Sequence, residues 1–176
     1  IIDYSSPIGT AIHTAASDGL AEGFSPISAM GVFLAALMVS GGNEELGWRA
    51  VLEPELERRI PFFAACLATG AIWGLWHLPL NLFFYSPDTS LQSIAAQLVV
   101  CVTLGVFFTF AYEKCGKNIW LPVVLHYLNN SMVLVWTGTA DISNQIISWT
   151  DVAISAIMYG VVFLPFLAAK CYRKNK

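Results

Sequence analysis

TSLQSIAAQLVVCVTLGVFFTFAY, residues 89–112, runs for 24 residues without an Asp, Glu, Lys or Arg. A hydrocarbon core takes roughly 17–25 apolar residues of helix to cross, so this stretch has the length and composition of a membrane span. Four more uncharged stretches accompany it, at 23–43, 60–87, 118–140 and 152–169. Across the chain 56% of residues are hydrophobic and 12% are charged, whereas a soluble domain carries about 25% charged residues. Mean hydropathy is +0.63. The reading that follows is an all-α polytopic transmembrane bundle of about five spans, with lipid as its solvent.

A buried soluble core could also supply apolar helices, and the basic residues separate the two cases. Threading the five stretches up and down puts Arg49, Arg58, Arg59, Lys114, Lys117, Lys170, Arg173, Lys174 and Lys176 on one side. Asp3, Asp18, Glu22, Asp88, Asp141 and Asp151 fall on the other. An excess of Lys and Arg marks the cytoplasmic face, so the C-terminus is expected in the cytoplasm. The net charge is −3 with no long polybasic run, and nucleic acid is not an expected partner. Cys66, Cys101, Cys115 and Cys171 match no zinc or redox spacing, and disulfides are not expected.

Residues 1–24 mix Gly, Ser, Pro and Asp and read as an outside segment or the remains of a longer N-terminal region, with His13 a surface residue. Span one is expected to begin near Pro26, a residue tolerated in a first helical turn. It should continue past Glu44 and Glu45, and Glu53 and Pro54 are expected to break it. Pro61 opens span two and Pro87 with Asp88 closes it. Residues 141–176 comprise the end of the second outside loop, the last transmembrane helix and a basic tail.

Ionisable groups at membrane depth are costly and usually face the interior of the bundle. Glu44, Glu45, His77 and His126 are the ones expected there, with Asn43, Asn81, Asn129 and Asn130 as polar neighbours. Residues four apart share a helix face, so Glu45 can pair with Arg49 while Glu44 points about 100° away. A paired Glu45 would fix the helix, and a desolvated Glu44 suits a general base. His126 and Asn130 also share a face and could stabilise an oxyanion; an interhelical hydrogen bond fits the same pair. His77 follows Trp73 by four, which could hold its ring, and it suits a proton relay or a satisfied core position equally well. These groups sit on three helices, which implies a polar site between helices.

EELGWR (44–49), WGLWH (73–77) and HYLNN (126–130) come in the order of three motifs, and in this the chain resembles the CAAX-protease and bacteriocin-processing family, also called the abortive-infection family. The family's two glutamates and arginine match Glu44, Glu45 and Arg49. Its aromatic followed by His matches Trp73 and His77, with Trp where the family has Phe. Its His with Asn or Asp four later matches His126 and Asn130. The resemblance covers about residues 26–137 and implies that 25–140 is an intramembrane peptidase core. It implies an endopeptidase cutting a membrane-associated protein or peptide precursor, in some members prenylated, in a prokaryotic plasma membrane. Glu44 would activate water, His77 position it, and His126 with Asn130 hold the oxyanion, with Glu45, Arg49 and Trp73 in support. No cofactor is favoured; a rival scheme places zinc among Glu44, His77 and His126, which are competent ligand types. A non-catalytic immunity or scaffold protein of the same family is the alternative function. A proton-coupled transporter would call for pseudosymmetric halves, and the sequence has none.

Overall fold

The computed structural model describes residues 25–137 and 141–173. The expected N-terminal segment 1–24 with His13, residues 138–140 of the outside loop and the last three residues of the tail lie outside them. The fold is all-α. The chain divides into two compact units, one of Ile1–Leu46 with Trp120–Asp141, the other of Gly47–Ile119 with Ile142–Lys176.

In the first unit, α1 (Pro26–Leu37) starts where Ser25 accepts a hydrogen bond from the Ser28 backbone N–H at 3.2 Å. This is a standard N-cap satisfying one of the orphan amides of a first turn. A π-helical turn, Met38–Gly42, follows, and α2 (Asn43–Gly47) begins with the Asn43 N–H bonded to the Met38 carbonyl. The other helix of the unit is Trp120–Thr137, here α6. It packs chiefly on the Met38–Gly42 turn.

In the second unit a π-helical turn, Trp48–Leu52, leads into α3 (Glu53–Glu57). Glu53 and Pro54 therefore do not break the helix as expected. Pro54 falls in the first turn of α3, where a missing N–H is tolerated. The helix stops instead at the Arg58 cap. Next comes α4 (Phe62–Trp76), a three-residue helical turn Leu78–Leu80, and a π-helical turn Asn81–Tyr85. The long helix α5 (Ser90–Lys114) packs against α4 more extensively than any other pair of elements. Their contact is close because Gly70 presents no side chain: a Cβ there would lie 2.7 Å from the Val102 Cα and 3.0 Å from the Cys101 carbonyl oxygen. Glycine spaced four apart, as Gly70 and Gly74 are, lets helix backbones approach in membranes.

The last helix, α7 (Trp149–Phe163), begins at a capping box in which Ser148 and Asp151 exchange hydrogen bonds, and it packs on α5. The loop before it is tied to the end of span two, through Asn144 N–H to the Phe84 carbonyl at 3.0 Å and Ile147 N–H to Thr89 Oγ1 at 2.9 Å. The turn after span two and the loop before α7 thus lie together. After α7 a short turn, Lys170–Arg173, tucks back. Its Tyr172 stacks on Phe62 with ring centroids 5.3 Å apart and donates its hydroxyl to the Val106 carbonyl at 2.5 Å. Burial above all pushes the phenol above its ordinary range, so it stays protonated and able to donate.

Three stretches among the described residues are long and apolar enough to cross a membrane: Phe62–Tyr85, Pro87–Lys114 and Trp149–Ala168. Of the remaining two expected spans, the first contains the shorter apolar helix Ile27–Leu37. The other is α6, whose apolar run is diluted by His126, Asn129 and Asn130.

Candidate functional site

In the first unit, α2 carries Glu44 and Glu45, and α6 carries His126 and Asn130. The local backbone is built to bring a ring against it. Gly41 has φ +126°, a conformation side chains rarely adopt, and a Cβ there would lie 2.5 Å from Cδ2 and 2.6 Å from Cγ of His126. The imidazole therefore occupies the space a side chain at 41 would need, and only glycine fits both the angle and the contact. With the ring seated there, His126 Nδ1 lies 2.8 Å from Oε1 of Glu45, and both residues are buried. With Glu45 as the carboxylate, which can only accept, the bond runs from Nδ1–H to Oε1. Glu44, half-buried, sits on the same turn; Asn130, also half-buried, accepts from Asn129 Nδ2 at 3.2 Å. The pairing of Glu45 with His126 is what the sequence reading missed. Helical spacing had offered Glu45 a partner on its own helix and His126 a partner on its own.

The second unit holds His77, Trp73 and Arg49. Pro79 two residues on cannot donate to the helix ladder, and α4 ends at Trp76. The His77 N–H turns to the Gly74 carbonyl at 3.2 Å, three residues back, and its side chain takes up the Trp73 carbonyl instead, with Nδ1 at 2.9 Å. A carbonyl also only accepts, so here too Nδ1 carries hydrogen, and in the neutral ring Nε2 is the acceptor nitrogen. The Trp73 ring serves a different residue. It lies 5.3 Å from the Arg49 guanidinium, Phe108 lies 5.4 Å from it, and Arg49 Nη2 donates to the Gly105 carbonyl at 3.3 Å. A guanidinium buried against two aromatic faces gains about 2 kcal/mol from such contacts when desolvated.

Three further buried polar residues of this unit are hydrogen-bonded. Asn81 Nδ2 donates to the His77 carbonyl at 2.8 Å, and Ser93 on α5 donates to Asn81 Oδ1 at 2.5 Å. Glu53, expected as a helix breaker, is buried and accepts from the Thr109 hydroxyl at 2.8 Å. Asn81 had been visible as a polar residue near membrane depth; nothing in the sequence tied Ser93 or Glu53 to it. Within either unit, no three His, Cys, Asp or Glu side chains of the described residues are grouped as metal ligands.

The sequence profile of the Rce1-like family, described as Type II CAAX prenyl endopeptidase Rce1-like, matches residues 10–132. The chain belongs to this family. The matched segment contains all three motifs, from Glu44 to Asn130, so the family expectation drawn from them holds. Among relatives of the Rce1-like chain is CAAX prenyl protease 2 of Methanococcus maripaludis, 32% identical over 99 residues. That match takes in 53% of this chain and 36% of the relative, so the chain spans only about a third of that protein's length. No solved structure gives a significant match. Family and apolar helices together make this Rce1-like chain a membrane protein.

Proposed function

We propose that the chain is an intramembrane endopeptidase that hydrolyses a peptide bond of a membrane-associated protein, in the manner its relative's name indicates for prenylated substrates. The observation that carries this reading is the state of the two histidines. Each is buried and has Nδ1 held against an acceptor inside its own unit, which fixes the direction of its ring.

In the reaction, Glu44 takes a proton from water and the oxygen attacks the scissile carbonyl carbon. His77 orients that water, whose second hydrogen stays on the oxygen. The carbonyl oxygen gains the negative charge and is met by the amide of Asn130 and by Nε2–H of His126. For His126 to donate there, both ring nitrogens must hold hydrogen, and the Glu45 carboxylate offsets the charge this places on the ring, as a buried acid does in hydrolytic triads. Collapse breaks the C–N bond, and the proton held by Glu44 passes to the leaving amine. The basic residues at one set of helix ends support a cytoplasmic C-terminus, and the family resemblance supports a prokaryotic plasma membrane.

Cleavage of a farnesylated peptide with a C-terminal CAAX sequence, by the full-length protein in proteoliposomes, tests the reading. Glu44→Gln should lower kcat by at least about a thousandfold with the fold retained, in line with loss of a base and of water activation. Cleavage that survives the substitution eliminates the reading. Zinc among Glu44, His77 and His126 is the rival, because carboxylate and imidazole are competent ligand types. A chelator that stops the unsubstituted enzyme, with zinc restoring it, would decide for that rival.

A further inference from the structure

We infer that Asn81 and Ser93 are positioning residues for His77, a buried relay that fixes the direction of its imidazole. The inference rests on the peptidase reading of His77 given above.

The chain at His77 is a weak point by construction. With α4 ended at Trp76 and Pro79 unable to donate, the helical ladder is interrupted at His77 and resumes where the Asn81 N–H reaches the His77 carbonyl. His77 has φ −82° and ψ 2°, the sparsely populated region between helix and strand. Two anchors hold the residue at this interruption. One is the bond from Nδ1 back to the Trp73 carbonyl at 2.9 Å. The other runs forward: the His77 carbonyl accepts both the backbone N–H of Asn81 at 3.0 Å and its Nδ2 at 2.8 Å.

The orientation of the Asn81 amide follows from chemistry. Its nitrogen must face the His77 carbonyl, which only accepts, so its oxygen faces Ser93, which must donate. Ser93 belongs to α5, and the bond of 2.5 Å therefore ties the break in span two to the longest helix of the unit. Asn81 and Ser93 are 1% and 4% exposed. Burying an amide and a hydroxyl costs free energy that an apolar pair of the same size would not incur. What the polar pair adds is direction at the carbonyl of His77.

The test uses the full-length protein, the farnesylated CAAX peptide and nitrogen-15 labelled histidine; the chain has three histidines, so the ring signals can be assigned by substitution. Ser93→Ala should lower kcat about tenfold with KM unchanged, the size of effect a small misplacement of a reacting group produces. The His77 ring signal should change from a single Nδ1–H form to an averaged one. Ser93→Thr, which keeps the donor, should restore kcat to within about twofold and restore the ring signal. Asn81→Asp keeps the shape but cannot donate to the carbonyl, and should fall at least as far. A Ser93→Ala protein with unaltered kcat and ring signal overturns the inference, as does a loss that follows lowered thermal stability and that Ser93→Thr does not rescue. His77→Ala identifies which idea has failed. If it abolishes cleavage while Ser93→Ala does not lower it, only the relay is wrong; if it cleaves normally, the role of His77 and its relay are wrong together.

Discussion

The two units hold their histidines in different ways. His126 is held by a side chain on another helix, the Glu45 carboxylate, and by the missing side chain of Gly41. His77 is held by its own helix, through the carbonyl of Trp73, and by Asn81 one turn on. A carboxylate partner brings charge, and a carbonyl brings direction alone. The contrast suits a division of labour in which His126 meets developing negative charge and His77 orients a neutral water. It also means that the Nδ1 bond of His126 can be removed by changing its partner's side chain, whereas the Nδ1 bond of His77, made to a backbone carbonyl, cannot.

Gly41→Ala should break the comparison most severely. The added Cβ would fall inside the His126 ring contact, and the backbone angle would be strained by about 1–3 kcal/mol on its own. Cleavage should drop at least about a hundredfold, with the His126 ring signal displaced and that of His77 unchanged. If both signals move together, the two holds are not independent and the contrast fails. Glu45→Gln is milder, since the amide oxygen can still accept from Nδ1. It removes the charge, and a charge-assisted bond is roughly twice as strong as a neutral one; kcat should fall about tenfold, and Glu45→Ala should fall further. Equal losses in the two variants would show that charge alone matters and that the bond to His126 does not orient the ring.

What the sequence made legible is what lies along one helix. The apolar runs marked the spans, the Pro residues marked the start of α1 and the two ends of span two, and the four-residue spacing put Trp73 beside His77. Partners on different helices were not legible: Glu45 and His126 are 81 positions apart, Asn81 and Ser93 belong to different helices, and Glu53 meets Thr109 across 56 positions. The π-helical turns at Met38–Gly42 and Trp48–Leu52 added a second obstacle. Each shifts the bonding register by one residue, so faces assigned by counting about 3.6 residues per turn drift around the motif glutamates. Pro54 reads as a breaker for a different reason, the restriction proline places on the residue before it, and it falls instead in the first turn of a new helical segment.

The finest test concerns Trp73, where the family pattern has Phe. If the hold on His77 is the carbonyl of residue 73, any side chain at that position supplies it. Trp73→Phe should then leave the His77 ring signal unaltered and kcat within about twofold. The ring is a separate matter, because it faces the Arg49 guanidinium at 5.3 Å with Phe108 at 5.4 Å from the same cation. Phe offers a smaller face and a weaker attraction than Trp, so thermal stability should fall by the equivalent of about 0.5–1 kcal/mol, and Trp73→Ala by more. The Trp73 and His77 rings are 6.3 Å apart and tilted by 59°, a contact that could orient the imidazole by itself. A changed His77 signal in Trp73→Phe would mean that it does, and the distinction between a side-chain hold in one unit and a backbone hold in the other would disappear.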